Sequence, residues 1–459
     1  MVKTQEYTDR IFWQWSDEFD FVKRGDTRYW FPENGFIINS KIRLGDFVEE
    51  IYEGRITPKP GQYLAKGIPF IRAQNVLKDT FDFSERKFIS PDLHSQVPKA
   101  HIKSKDVLLT IDGARLGSAC VVPEDFSEGS ISNHIVRIIP KKNVSPYFIS
   151  VFLNSKYGQQ NIKQGITGSA QPGLRINAIK NFAIIEPFKK DNVFVDECVK
   201  ASNELLQQAN QKYKQAQEIL EKELGLNKVN LKDQTVFWRW SDEIDIVKRL
   251  DPNYYQKYFQ EQKSLRKKLK IARLEKLSSL IDYGTVPTSP DAPPELGTPY
   301  LTGKNIQPNE LVLDKLDYLY TATTKDIQDK AIKAGDVVVT QMGTVGNATV
   351  MGKKQEGWFF GSFLIRVRPN KDISPEWLAL VINSDFGKQQ IQQVMTTATV
   401  RTNTDLPTIK GLEIPIIDKN KETEIVNFYI QSRSKKALSK QKLQEAKKYV
   451  EDLIEGKTK

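Results

Sequence analysis

Phe12-Trp-Gln-Trp-Ser-Asp-Glu-Phe-Asp20 returns as Phe237-Trp-Arg-Trp-Ser-Asp-Glu-Ile-Asp245, and each copy runs on through an apolar pair into Lys-Arg, at Lys23-Arg24 and Lys248-Arg249. Self-similarity at one long period is the mark of a duplicated structural unit. The echo continues outward from this string. Arg43-Leu44 matches Arg273-Leu274, Pro69-Phe-Ile-Arg-Ala-Gln-Asn75-Val76 matches Pro299-Tyr-Leu-Thr-Gly-Lys-Asn305-Ile306, and Asp106-Val-Leu-Leu-Thr110 matches Asp336-Val-Val-Val-Thr340. Further along, Ser145-Pro146, Asn154-Ser155 and Gly158 return as Ser374-Pro375, Asn383-Ser384 and Gly387. Two copies of one unit therefore fill the 459 residues.

Each copy has a β-rich part followed by a helical part. Short β-branched runs (Phe70-Ile71, Val107 to Ile111, Ile135 to Ile139, Phe182 to Ile185) alternate with Gly, Pro, Asn and Asp turns, which predicts short strands. The long polar stretch that follows has no internal proline. In it Val195, Val199, Ser202, Leu206, Ala209, Tyr213, Ala216 and Leu220 step alternately by four and three, the heptad spacing that lays a helix edge against a partner helix. Ile425, Tyr429, Ser432, Lys436, Ser439, Leu443, Ala446 and Val450 repeat this seam in phase. Lys436 there either sets register or carries its ammonium out to solvent along its alkyl stem. The expected fold class is α/β (mixed): two β-rich α/β domains in tandem repeat, separated by long heptad-patterned helices forming an antiparallel coiled coil. The expected boundaries are a leader at 1–40, a first domain at 41–190, a central long helix at 191–226, a repeated leader at 227–270, a second domain at 271–417 and a C-terminal long helix at 418–459.

The 68 Lys and Arg exceed the 57 Asp and Glu by 11, which favours an anionic partner such as nucleic acid. Cys120 and Cys198, the only cysteines, are too few for a disulfide framework or a Cys-rich zinc site and point to a reducing compartment. Three histidines (His94, His101, His134) argue against a His-built metal centre. No apolar run approaches the ~18 residues a membrane span needs, and the N-terminus has no apolar signal core. A cytoplasmic protein holding no metal and no cofactor is expected.

Catalytic motifs fail on inspection. Gly297-Thr-Pro-Tyr-Leu-Thr-Gly303-Lys304-Asn305 has the glycines and lysine of a phosphate loop, but five residues separate its glycines and Asn stands where Ser or Thr would hold magnesium. A turn between strands is the better reading. The Asn/Asp-Pro-Pro-aromatic loop of amino-methyltransferases is missing, since the only Pro-Pro pair, Pro293-Pro294, lacks its flanks. Asp82, Glu85 and Lys87 could be arranged into a metal-dependent nuclease pattern, yet the second copy does not repeat it. His134 has no nucleophile or orienting group to pair with by sequence. No catalytic residue is expected.

Polar loops carry more information. Lys263 to Arg273 holds six positive and no negative charges in eleven residues, which suits phosphate contacts or a solvated helix face equally. Gly165 to Arg175 and Thr396 to Asn403 are hydroxyl-, amide- and Arg-rich, the side chains that read guanine and adenine edges in the major groove, or simply surface turns. Pairing by repeat position selects Arg72, Gln74 and Asn75 with Lys304 and Asn305, Arg115 with Gln341 and Thr344, and Ser169, Gln171 and Arg175 with Arg401 and Asn403 as candidate DNA-reading residues. Trp13, Trp15, Trp238 and Trp240 fit a core better than docking anchors.

With these motifs in place the chain resembles the specificity subunit of type I restriction-modification systems. The resemblance rests on Arg249-Leu-Asp-Pro-Asn-Tyr-Tyr255, Gly297 to Ile306, Gly335-Asp-Val-Val-Val-Thr340, Gly343-Thr-Val-Gly346, and Ile179-Lys180 and Ile409-Lys410 ahead of Pro187 and Pro415, and it covers nearly all of the chain. It implies two target-recognition domains, each reading half of a split site in double-stranded DNA, and helices that set the spacing and bind two methyltransferase subunits. It also implies that adenine methylation with S-adenosylmethionine belongs to those subunits, that cleavage belongs to ATP-driven restriction subunits, and that this chain is not itself an enzyme. The competing classes are a metal-dependent DNA nuclease and a non-specific structural scaffold.

Overall fold

The computed structural model describes residues 38, 40–168, 172–228, 238, 240, 244, 252–287, 291–313, 316–320, 329–394, 396–397 and 402–458. Trp13 and Trp15 and nearly all of the leader lie outside the described residues. The chain divides into two compact units, one drawn from Met1–Gln207 and Lys435–Lys459, the other from Gln208–Ser434.

In the first unit Val48–Glu53, Ile135–Pro140, Val107–Thr110 and Ala119–Val121 form an antiparallel sheet in that order. Alternate side chains of a strand face opposite sides, and here both sides are covered. Val107 and Leu109 pack with Phe148 and Phe152 of the helix Pro146–Asn154, whereas Leu108 and Ile135 pack with Phe70, Ile71 and Ile131 of a second sheet. Burial on both faces is why Val107-Leu-Leu is continuously apolar and not alternating. Each buried phenylalanine contributes about 2–3 kcal/mol of transfer free energy. The second sheet orders Phe88–Ile89, Ile68–Ile71, Gly129–Ile131 and His101–Ile102, with the inner pair parallel.

The second unit repeats this plan. Ser278–Tyr283, Leu364–Pro369, Val337–Thr340 and Ala348–Val350 take the same order, and a register shift at Ser278/Leu280 repeats the one at Val48/Glu50. Val337 and Val339 face Trp377 and Leu378 of the helix Pro375–Asn383, and Val338 faces Leu301 and Phe360. A smaller sheet orders Asp317–Tyr320, Gly297–Leu301 and Phe359–Phe360, its last pair again parallel.

The duplicated Ser-Pro and Asn-Ser motifs begin and end the helix on the sheet. Ser145 and Ser374 accept hydrogen bonds from the backbone N–H of Phe148 (3.1 Å) and Trp377 (3.2 Å), with Pro146 and Pro375 in the first turn, the N-terminal chemistry a helix needs for its orphan donors. At the other end the Asn154 amide pairs with Ala119, donating to its carbonyl at 2.8 Å and accepting from its N–H at 3.2 Å. Asn383 does the same for Ala348 at 2.7 and 3.0 Å. Each asparagine thus acts as a one-residue strand that closes a sheet edge. Gly158 and Gly387 follow because a Cβ there would sit 2.1 Å from the Phe152 carbonyl and 2.4 Å from that of Val381.

Helices Lys189–Leu224 and Lys419–Ile454 each run 36 residues. Within the first unit they are antiparallel: Tyr449 donates to Asp191 (2.8 Å), and the buried hydroxyls of Ser202 and Ser439 lie 2.8 Å apart. Val195, Val199, Ala446 and Val450 fill that seam. Within the second unit Ala216, Leu220, Ile425 and Tyr429 do so, and the Lys212 ammonium lies 4.8 Å from the Phe428 ring centre. The first helix stops at Gly225, whose φ of +70° is the left-handed conformation that favours glycine. Lys436 is half-buried in the seam.

Two expectations are corrected here. Trp238 and Trp240 are 75% and 65% exposed and meet edge-on at 5.4 Å, so this pair is not core. The basic run 263–273 is not one charged face. Arg266 is buried and bonds Glu413 at 2.7 Å, and Ile271–Arg273 is a strand paired with Glu413–Pro415, while Lys263, Lys267, Lys268 and Lys270 are exposed. No helix among the described residues is long and apolar enough to cross a membrane.

Candidate nucleic-acid interface

In the first unit the β-rich domain gathers three turns. Ala73–Asn75 packs against Gly113–Arg115, and Asp112 bridges to Gly173 of the hairpin formed by Ile166–Thr167 and Gly173–Leu174. Arg72, Gln74, Arg115 and Arg175 stand on or beside these turns, while Ser169 and Gln171 lie outside the described residues. Arg115 and Arg175 are exposed, with no side-chain partner among the described residues. Gln74 is also exposed and donates to Glu85 Oε2 at 2.6 Å, and Arg72 lies 3.8 Å from the same carboxylate. Glu85 thus pairs with both side chains at the surface of the turn.

The second unit repeats the framework with other side chains. Lys304 replaces Gln74 and is held 2.8 Å from both oxygens of Asp317. Gln341 and Asn403 are brought together, since Met342 bridges to Asn403 and the Thr404 N–H donates to the Gln341 carbonyl at 3.1 Å. Thr344 is exposed on that loop, and Arg401 lies outside the described residues. Met342 and Asn403 stand where Asp112 and Gly173 stand in the first unit, so Arg175 corresponds to Asp405, each of them preceding a five-residue helix, and not to Arg401. Both loops close on the preceding strand. Gly117 and Gly346, at φ +85° and +80°, return their N–H groups to Thr110 and Thr340, both at 2.9 Å.

Asn75 and Asn305 leave the set of reading residues. They are 2% and 0% exposed. Each accepts from the backbone of the residue three before it (Arg72 and Thr302, both 2.9 Å) and donates to a carbonyl seven residues on (Asp82 at 2.8 Å, Val312 at 3.0 Å). Their amides are spent on closing the turn that carries Gln74 and Lys304. The Gly297–Asn305 segment is likewise a strand and a turn.

One pair of positions escaped the sequence reading. The Ile111 N–H donates to the His134 carbonyl (3.0 Å) and the equivalent Gln341 N–H to that of Phe363 (2.9 Å), which places His134 and Phe363 beside the loops in their respective units. Phe363 is 54% exposed, and His134 Nδ1 is 2.5 Å from Asp112 Oδ1. The offset that relates Ser145 to Ser374 also relates His134 to Phe363, and it is the sequence signal that would have found them. The Asp82, Glu85 and Lys87 pattern is dispersed: Asp82 accepts from Ser84, Glu85 from Gln74, and Lys87 lies 5.9 Å from the Tyr63 ring centre.

These features define a class: a duplicated helix-braced α/β scaffold that keeps its framework and varies its exposed turns. The chain matches the family described as the type I restriction modification DNA specificity domain over residues 39–212 and 267–448, and it belongs to that family. It is 28% identical over 124 residues to the type I restriction enzyme EcoBI specificity subunit of Escherichia coli, a match spanning 27% of this chain and 26% of that protein. Among solved structures it is similar to the type I restriction-modification S subunit from M. genitalium, at 11% identity and TM-score 0.44 over 92% of this chain and 98% of that one. It is also similar to the HsdS subunit from Thermoanaerobacter tengcongensis, at 15% identity and TM-score 0.30 over 91% of this chain and 96% of that one.

Proposed function

We propose that the chain is the DNA-reading subunit of a type I restriction-modification complex, that segments 41–190 and 271–417 are its two target-recognition domains, and that each reads one half of a bipartite site in double-stranded DNA. The observation that carries this reading is the contrast between a framework kept in both copies and exposed turns that differ, Gln74 and Glu85 in one against Lys304 and Asp317 in the other. Two domains of one design with different surface chemistry suit two different half-sites, because base edges are read by groove-facing polar side chains while phosphate contacts only position. Reading DNA needs no nucleophile. Methyl transfer and cleavage then belong to two methyltransferase subunits and to restriction subunits that the chain recruits.

The long helices support a spaced target. A 36-residue helix is about 54 Å long at ~1.5 Å per residue, against ~34–36 Å between half-sites one turn apart on B-DNA. Inserting seven residues into each helix keeps the heptad phase and adds roughly 10 Å, about three base pairs. Methylation mapping of a host carrying this variant with its methyltransferase should find the same half-sites around a longer spacer. Altered half-sites at an unchanged spacer would refute the reading, as would methyl transfer by the purified chain alone.

A further inference from the structure

We propose that His94, His101 and Glu128 of the first unit bind a divalent ion of the zinc class, which staples three segments in and around the second sheet of that unit. One donor atom from each of the three lies within 4.8 Å of the others. The residues come from separate pieces of chain: His94 from the helix Pro91–Ser95, His101 from the strand His101–Ile102, and Glu128 from the turn entering Gly129–Ile131. His94 Nε2 and Glu128 Oε1 are 3.2 Å apart. Two ligands at ~2.0–2.1 Å from a tetrahedral zinc ion are separated by about 3.3 Å, so these two need not move.

The remaining nitrogens are already engaged. His94 Nδ1 lies 2.7 Å from the Ser130 hydroxyl, and His101 Nε2 donates to the His94 carbonyl at 2.8 Å. Ligating histidines carry such outer hydrogen bonds, which fix the tautomer and leave the lone pair of the other nitrogen free for an ion. In His101 that nitrogen is Nδ1. An imidazole nitrogen facing a carboxylate requires a proton or a metal between them. The two rings stack at 3.5 Å with 9° between their planes, and imidazoles bind a metal in their neutral form. Loading turns the His101 ring out of the stack to aim Nδ1. Two imidazoles and one carboxylate select zinc, nickel or cobalt over magnesium or calcium, and both cysteines are buried and do not compete. The second copy has no histidine at all. The site belongs to one half only.

The test uses the full chain, stripped with a chelator and titrated with zinc chloride by calorimetry. One ion per chain is expected, with a tetrahedral absorption spectrum when cobalt replaces zinc. Glu128→Gln, at the exposed rim, should keep the fold and weaken binding at least about tenfold. His101→Gln should weaken it further, and zinc should raise the thermal midpoint of the native chain but of neither variant. Absence of stoichiometric binding, equal binding of magnesium, or unchanged zinc affinity in Glu128→Gln and His101→Gln would overturn the site.

Discussion

The two units solve one docking problem with opposite charge. In the first, the helix Lys156–Gly165 meets the end of the second long helix through attraction: the Lys156 N–H bonds Glu451 at 2.8 Å, its ammonium reaches Glu455 at 2.6 Å, and Tyr157 donates to Glu455 at 2.9 Å. In the second, Asp385 stands where Lys156 stands and Glu221 where Glu451 stands, and their like charges crowd each other. One turn deeper the contrast recurs. Asp79 is buried against Lys447 (2.9 Å) and the Asn154 amide (2.7 Å), whereas its counterpart Asn309, equally left-handed at φ 59°, donates to Tyr213 at 2.8 Å. The shared framework therefore tolerates an ionic or a neutral bond to the braced helix, the neutral version leaving Asn309 Oδ1 without a hydrogen-bond partner among the described residues. The halves are alike in backbone and not interchangeable in chemistry.

The largest effect should come from breaking the ionic version alone. Lys447→Met leaves the Asp79 carboxylate buried without its cation and should cost the first unit about 3 kcal/mol, read by denaturant unfolding or hydrogen exchange. Adding Asp79→Asn, the residue the second copy uses, should recover most of that loss. If the double variant is as unstable as the single one, the two junctions are not equivalent solutions. Burial pushes the Asp79 carboxyl up, against Lys447, Asn154 and Ser150, which pull it down. This contribution to stability is full below the ordinary carboxylate range and declines as pH rises through the raised value, a decline that Asp79→Asn should abolish.

Where the halves agree, their variants should agree. Asn154→Ala and Asn383→Ala each orphan an N–H and a carbonyl at a sheet edge, which should cost about 2 kcal/mol in each unit, and Asn154→Ala should cost more because Asp79 also loses the Asn154 amide; no effect of Asn383→Ala would show that the repeat is only formal there. The turns should divide the other way. Gln74→Ala and Lys304→Ala should leave stability within ~0.5 kcal/mol and weaken recognition by about 1–2 kcal/mol, each in a different half-site. Equal loss on every DNA sequence would mark a phosphate contact.

The smallest effect tests the like-charge junction. Asp385→Lys should stabilise the second unit by about 0.5 kcal/mol, the gain offset because Asp385 also favours its helix N-terminus, and Lys156→Asp should weaken the first. The pH slopes should oppose each other. Lys156 first, with Lys457 and Tyr157, holds Glu455 down to about 2, so its contribution is complete above the ordinary range and lost as pH falls toward that value. Burial, then Asp385 and Glu218, raises Glu221, so its contribution is lost as pH rises through the raised value. Slopes of the same sign in the two units would contradict these assignments.

The repeat and the helix seam were legible because each writes a period into the chain: one string returning about 230 residues later, and apolar or small residues at heptad spacing. Val195, Val199, Ala216 and Leu220 are buried as that spacing requires. Duplication also returned the Ser-Pro and Asn-Ser strings, but that they begin a helix and close a sheet edge is visible only in the folded contacts. What the tertiary structure alone decided is the direction of polar side chains. Arg-Ala-Gln-Asn75 reads the same whether Asn75 faces DNA or turns inward to tie Arg72 to Asp82, and only packing around the turn makes the inward bonds. The same holds for His94 and Glu128, 34 residues apart, whose meeting depends on strand order and has no spacing to announce it. Periodic burial is a property of neighbouring residues and so survives in one dimension. Polar pairing across segments is a property of the folded surface and exists only once the chain has closed on itself.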